Sequence, residues 1–227
     1  LFDELSVGKI SFVGQENLPV WGITHFLEKT CLNHMKITTI QRICELKSKG
    51  VPDEDFLVVA NSAEIYPKKS FLNTNFKNTI MYSRKDRSAE NFWYIIGNYK
   101  RPIVLYKHGY DHIPLYDYTY KESARIVSFT EESPPEGLIK GATGALLDLF
   151  FAPERESRDR NAHLNEQIEQ NARNTREIVR ASQIINSPQT PDGVKRYAQN
   201  QLEKIMNTQN KLNEEMGIDE DSVDLYA

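Results

Sequence analysis

The sequence predicts an α+β fold: a mostly antiparallel sheet packed with helices, followed by a long C-terminal αα-hairpin. Three observations carry this. Leu1 to Phe151 holds nearly all the Phe, Tyr and Trp, whereas Tyr197 is the one aromatic residue between Pro153 and Gly217. Short apolar, β-branched runs broken by Gly, Asn, Asp and Lys fill the stretch from Thr79 to Thr130. Beyond Pro153, apolar residues recur at alternating spacings of three and four, the period of a helix face. The expected organisation is an aromatic-rich body over residues 1–152, a helical arm over 153–217 and an acidic tail over 218–227.

In the body, Leu5 to Val13 alternates as a first strand. After Pro19 the spacing turns helical: Ile23, Phe26, Leu27 and Cys31 share one face. A second helical pattern runs through Ile37, Ile40, Ile43, Cys44 and Leu46 and stops at Gly50, with Pro52 just beyond. Phe56–Ala60 predicts a buried strand. Further strands are expected at Ile80–Tyr82, Phe92–Ile96, Pro102–Tyr106, Leu115–Tyr120 and Arg125–Phe129, arranged as an antiparallel meander. Ser133-Pro134-Pro135-Glu136 has the composition of a helix start, with Ser as cap, Pro at the first position and Glu completing a capping box. The helix it predicts runs to Phe150, and Gly137, Gly141 and Gly144 would allow it close packing in the core. Ser128-Phe129 and the Pro-x-x-Gly after it echo Ser11-Phe12 and Pro19 to Gly22, a similarity that ordinary strand-to-helix turns also produce.

The arm opens with opposite charges four residues apart, such as Glu154 with Arg158. Leu164, Ile168, Ile178 and Ile185 then mark a seam with Asn171, Thr175 and Ser182 interleaved. Thr190-Pro191-Asp192 starts a second helix whose seam is Ala198, Leu202, Ile205, Gln209, Leu212 and Met216, with Gly217 as a left-handed cap. Polar residues in such a seam select register and partner at the expense of stability. Self-association or partner binding through Leu164, Ile168, Ile178, Ile185, Leu202, Ile205, Leu212 and Met216 is therefore the first functional expectation. The alternative cover for this seam is the chain's own body.

A second expectation comes from aromatic and basic residues in the β region: Tyr99, Lys100, Arg101, Tyr106, His108, Tyr110 and His112 could stack bases and contact phosphates of a nucleic acid or nucleotide. Net charge of -4 argues against a dedicated nucleic-acid binder. His108-Gly109-Tyr110-Asp111-His112 has metal-ligand residue types, but H-x-x-x-H gathers both rings only on a helix, and Gly109 predicts a turn; no metal site is expected. No P-loop, dinucleotide fingerprint, nucleophile elbow or H-E-x-x-H motif occurs, so a non-catalytic assembly or adaptor role without cofactor is expected, with an enzyme of unrecognised type as the remaining class. Cys31 and Cys44 read as buried free thiols of a reducing compartment. No apolar run reaches the roughly 20 residues needed to span a bilayer, and the chain reads as cytoplasmic.

Overall fold

A helix of 29 residues, α1 (Val20–Ser48), organises the fold. The computed structural model describes residues 5–59, 81–83, 89–117, 120–130, 134–151 and 180–226. In order the elements are β1 (Val7–Val13), α1, β2 (Phe56–Val59), β3 (Met81–Ser83), α2 (Ala89–Asn98), β4 (Ile103–His108) and β5 (Asp111–Pro114). They continue with β6 (Arg125–Thr130), β7 (Glu136–Ala142), α3 (Thr143–Phe150), α4 (Ala181–Ile185), α5 (Asp192–Met216) and β8 (Val223–Tyr226). The strands form two antiparallel sheets, ordered β6-β7-β1-β8 and β3-β2-β4-β5. The chain is thus an α+β protein with antiparallel sheets, and no helix among the described residues is long and apolar enough to cross a membrane.

The two helical patterns expected between Pro19 and Gly50 are one helix. The polar residues between and within them are buried: Thr30, Asn33, His34, Thr38, Gln41 and Arg42 are all enclosed by the protein. A helix enclosed on nearly every side loses its amphipathic signature, which is why the sequence suggests a break. Its end is as expected. Gly50 takes φ 83° and the Val51 amide donates to the Leu46 carbonyl, the long bond that closes a helix through a left-handed residue.

Two predicted elements change type and one moves. Phe92–Ile96 lies inside α2, where Phe92, Trp93, Ile95 and Ile96 are buried at helical spacing; so short an apolar run is ambiguous between strand and helix. The strand expected at Leu115–Tyr120 falls earlier, at Asp111–Pro114, because Gly109 at φ 63° closes a two-residue hairpin turn directly after His108. The helix expected from Ser133 to Phe150 is β7 followed by α3. Gly137, Ile139 and Gly141 alternate on the buried face of β7, and the glycines admit neighbours rather than another helix. A Cβ on Gly137 would lie 2.3 Å from Phe12, and one on Gly141 2.6 Å from His34. A strand after Pro135 also ends the parallel between the two Pro-x-x-Gly segments.

The C-terminal end belongs to the body. α5 packs on α1, α2 and α3, and Ala198, Leu202, Ile205, Leu212 and Met216 join one hydrophobic core with Ile10, Ile40 and Leu146. Gly217 at φ 68° caps the helix as expected, with the Ile218 amide donating to Asn213 O. The acidic tail is not a solvated end: β8 pairs with β1 and buries Val223 and Leu225, its alternation placing Asp224 and Tyr226 outward. Phe12, Phe26 and Phe150 tie sheet, α1 and α3 together, with ring centroids 5.2 to 6.5 Å apart. Each such ring pair adds about 0.5–1.5 kcal/mol beyond area burial.

Candidate functional site

Lys29, Leu32, Asn33 and Lys36 fall at i, i+3, i+4 and i+7 on α1 and so share one face. Gln201, Lys204 and Thr208 do the same on α5. Between these two faces, bordered by Gly97 and Asn98 of the last turn of α2 and by Lys100 just after it, lies a cavity of about 550 Å³. That is a usual size for a small-molecule site. Its lining is polar and basic: four lysines, several carboxamides, one leucine and, among the described residues, no carboxylate.

Glu28, outside the lining, accepts from Lys100 Nζ at 2.6 Å and lies 3.8 Å from Arg101. The Lys100 hydrogen bond pulls the Glu28 carboxyl below its usual range. This local pairing occupies Lys100 at the rim. Among the described residues no carboxylate forms an ion pair with Lys29, Lys36 or Lys204.

Lys36 is the deepest of the four. Its Nζ donates to the Gly97 carbonyl at 2.6 Å, where the last turn of α2 presents unsatisfied carbonyls to a cation. Burial, reinforced by the positive charge of Lys29, pushes its ammonium down to about 8. The missing side chain of Gly97 leaves room for the Gln201 carboxamide, whose Oε1 lies 1.8 Å from where a Cβ would stand. Below the cleft, Asn33 Nδ2 donates to Gln209 Oε1 at 2.9 Å, and Gln209 Nε2 donates to Thr30 Oγ1 and Asn213 Oδ1, both at 2.9 Å. Asn213 Nδ2 donates on to Leu149 O at 3.1 Å. This buried network holds one wall of the cleft from beneath.

Two other buried ionisable groups, Arg42 and Asp148, are engaged in holding neighbouring segments. Arg42 pairs with Glu122, donates to Leu115 O at 2.6 Å and lies over the Tyr120 ring. Asp148 accepts from the Ser182 amide and hydroxyl at the start of α4, and burial raises its carboxyl to about 6. His34 is fully enclosed, 6.2 Å from the Tyr116 ring centroid, and burial pushes it down to about 4.

Of the residues singled out from sequence, Lys100 alone lines this cleft. Tyr106 is half-buried against Phe56 and, by alternation, shares a hairpin face with His108, 5.9 Å away between ring centroids. His112 pairs across the hairpin with Lys107 and so lies on the other face, while Tyr110 is fully exposed at the tip. Tyr99 is half-buried beside the core. The seven residues do not form one continuous surface. Among the described residues no group of three His, Cys, Asp or Glu side chains is placed to hold a metal ion. Of the seam residues, Ile185, Leu202, Ile205, Leu212 and Met216 are each at most 7% exposed and covered by their own chain; Leu164, Ile168 and Ile178 lie outside the described residues.

Sequence reasoning passed over the cleft because its lysines stand at positions 29, 36, 100 and 204. The legible signal was the Lys29–Asn33–Lys36 face. Comparison with protein-family models, with curated proteins and with solved structures finds no match to this chain.

Proposed function

We propose that the protein is a non-catalytic binding protein for a small phosphorylated anion, held in the cleft between α1, α2 and α5. One observation carries this: Lys29, Lys36 and Lys204, joined at the edge by the Glu28-paired Lys100, line a cavity with no lining carboxylate among the described residues, in a chain whose net charge is -4. Like charges gathered in a partly desolvated space repel, and a bound anion removes that repulsion. The carboxamides of Asn98, Gln201 and Asn207 add donors and acceptors suited to the hydroxyls of a sugar or the edge of a base. A pocket of this volume suits a free nucleotide or sugar phosphate, whereas a nucleic-acid strand needs a continuous basic groove.

The expected long hairpin and its assembly role receive less support. Five of the eight seam residues serve the chain's own core and cannot meet a partner without opening it. Self-association would therefore rest on Leu164, Ile168 and Ile178.

Pyrophosphate titrated into the protein at low salt tests the cleft, read by melting temperature and calorimetry, with a 20-base oligonucleotide in parallel. A ligand at 100 times its Kd stabilises the fold by about 2.7 kcal/mol. Exchange of Lys29 and Lys204 for Gln removes two charge-assisted contacts and weakens binding by about tenfold or more. No shift with millimolar pyrophosphate, or an equal shift in the double variant, overturns the proposal; tighter binding of the oligonucleotide transfers it to nucleic acid.

A further inference from the structure

Lys36 differs from the other lysines of the cleft in depth and in partner. Its Nζ lies against a single backbone carbonyl, Gly97 O at 2.6 Å, in the lining of a 550 Å³ cavity. The other charged residues that line the cavity are Lys29 on α1, Lys204 on α5 and Lys100 after α2, the last paired with Glu28 of α1; of these Lys29 adds its positive charge to the burial of Lys36. Desolvation together with a neighbouring cation is the arrangement that turns a lysine from a charged anchor into an amine nucleophile.

We infer that Lys36 forms a reversible imine with a phosphorylated aldehyde, its Nζ attacking the carbonyl carbon while Lys29 and Lys204 hold the phosphate. This rests on the anion-binding reading of the same cleft. The neutral amine adds to the carbonyl carbon, a C–N bond forms and the carbonyl oxygen becomes a hydroxyl. That hydroxyl then leaves as water as the C=N bond forms. Overall, ammonium and aldehyde give iminium and one water, which carries away two of the three ammonium hydrogens. The remaining N–H points at Gly97 O, where the present hydrogen bond already lies, so the adduct needs no new acceptor. With its ammonium pushed down to about 8, part of Lys36 is neutral near neutral pH, whereas an ordinary lysine is almost wholly protonated.

The experiment incubates the full chain with glyceraldehyde 3-phosphate and sodium cyanoborohydride, then maps reduced adducts by peptide mass spectrometry. Expected is an adduct at Lys36 formed at least about tenfold faster than at the exposed Lys9 or Lys121, because a larger neutral fraction and a bound phosphate both favour it. Its rate should rise with a midpoint near pH 8, fall with added pyrophosphate and be lower with glyceraldehyde, which lacks the phosphate. Lys36→Arg keeps the charge but cannot form the imine; it should lose the Lys36 adduct while the slow adducts at Lys9 and Lys121 persist unchanged. Adducts spread evenly over surface lysines, or concentrated on Lys29, Lys100 or Lys204, overturn the inference. A pyrophosphate shift without a Lys36 adduct overturns the imine alone. No pyrophosphate shift overturns the cleft reading and the imine with it.

Discussion

Gln209→Leu is the substitution that most directly tests how the C-terminal helix is used. Gln209 is fully buried and makes three side-chain hydrogen bonds, one accepted from Asn33 and two donated to Thr30 and Asn213. Leucine fills a similar volume and satisfies none of them. A polar group left buried without a partner costs about 1–3 kcal/mol. The Asn33 amide borders the cleft, where water can replace its acceptor, so its contribution is small. Thr30 and Asn213 are buried and do not line the cleft, so they gain no such replacement there, although Asn213 keeps its bond to Leu149 O. The greater burial of apolar surface offsets part of the loss. The net expectation is a destabilisation of about 2–4 kcal/mol, a large share of the roughly 5–15 kcal/mol typical of a folded domain.

Urea unfolding followed by far-ultraviolet circular dichroism measures it. With a slope of about 2–3 kcal/mol/M, the midpoint should fall by about 1 M with the slope unchanged. A shift below about 0.3 M would refute the network. A polar seam serving a partner interface gives the opposite result: leucine there strengthens association, and the midpoint rises with protein concentration. Asn33→Leu combined with Gln209→Leu should cost less than the sum of the single changes, because the two groups lose each other.

Glu122→Gln leaves Arg42 buried opposite a neutral partner and should destabilise the fold by about 3 kcal/mol, measured by the same titration; the paired exchange Arg42→Met with Glu122→Leu should recover much of it. Gly141→Ala places a methyl 2.6 Å from His34 Nε2 within β7 and should cost about 1–3 kcal/mol, with His34→Ala relieving the clash in the double variant. His34 has a folded pKa near 4, below the unfolded value near 6.5, so between these limits the unfolded chain binds more protons. Its contribution is present above pH 6.5 and is lost as pH falls towards 4, and His34→Gln should flatten that part of the stability profile. Asp148, raised from 3.8 to about 6, acts with the opposite sign over all but the upper end of this window, so the difference between the parent and His34→Gln isolates the histidine.

What was legible in the sequence follows from which interactions are local. The β1, β2, β4 and β6 segments, the Gly50 and Gly217 helix ends and the buried stripe of α5 depend on alternation, spacing and left-handed glycine, all of which act within a few residues. The errors arise where distant contacts decide. Gly137 and Gly141 resemble small residues of a packed helix until Phe12 and His34 are seen to occupy the space they leave. Polar residues near the middle of α1 resemble a loop until their burial is known. The 3-4 spacing of the C-terminal helix correctly gives the face that is covered but carries no information about what covers it.

The same distinction accounts for the cleft. A net charge of -4 averages over the chain, whereas electrostatic work is done over distances of about one Debye length, near 8 Å in physiological salt. Lysines from α1, α5 and the end of α2 meet only because α5 lies along α1. The polar residues that make the C-terminal seam look weak are what fix that placement. Gln209 reaches from α5 to Asn33 and Thr30 on α1, and Asn213 reaches to the end of α3. One turn away, Gln201, Lys204 and Thr208 present the neighbouring face of α5 to the cavity. A wholly apolar seam would bury as much surface but would let the helices slide past one another, since dispersion contacts are non-directional. Hydrogen bonds of defined length between carboxamides permit one register, and that register places Lys204 opposite Lys29 and Lys36.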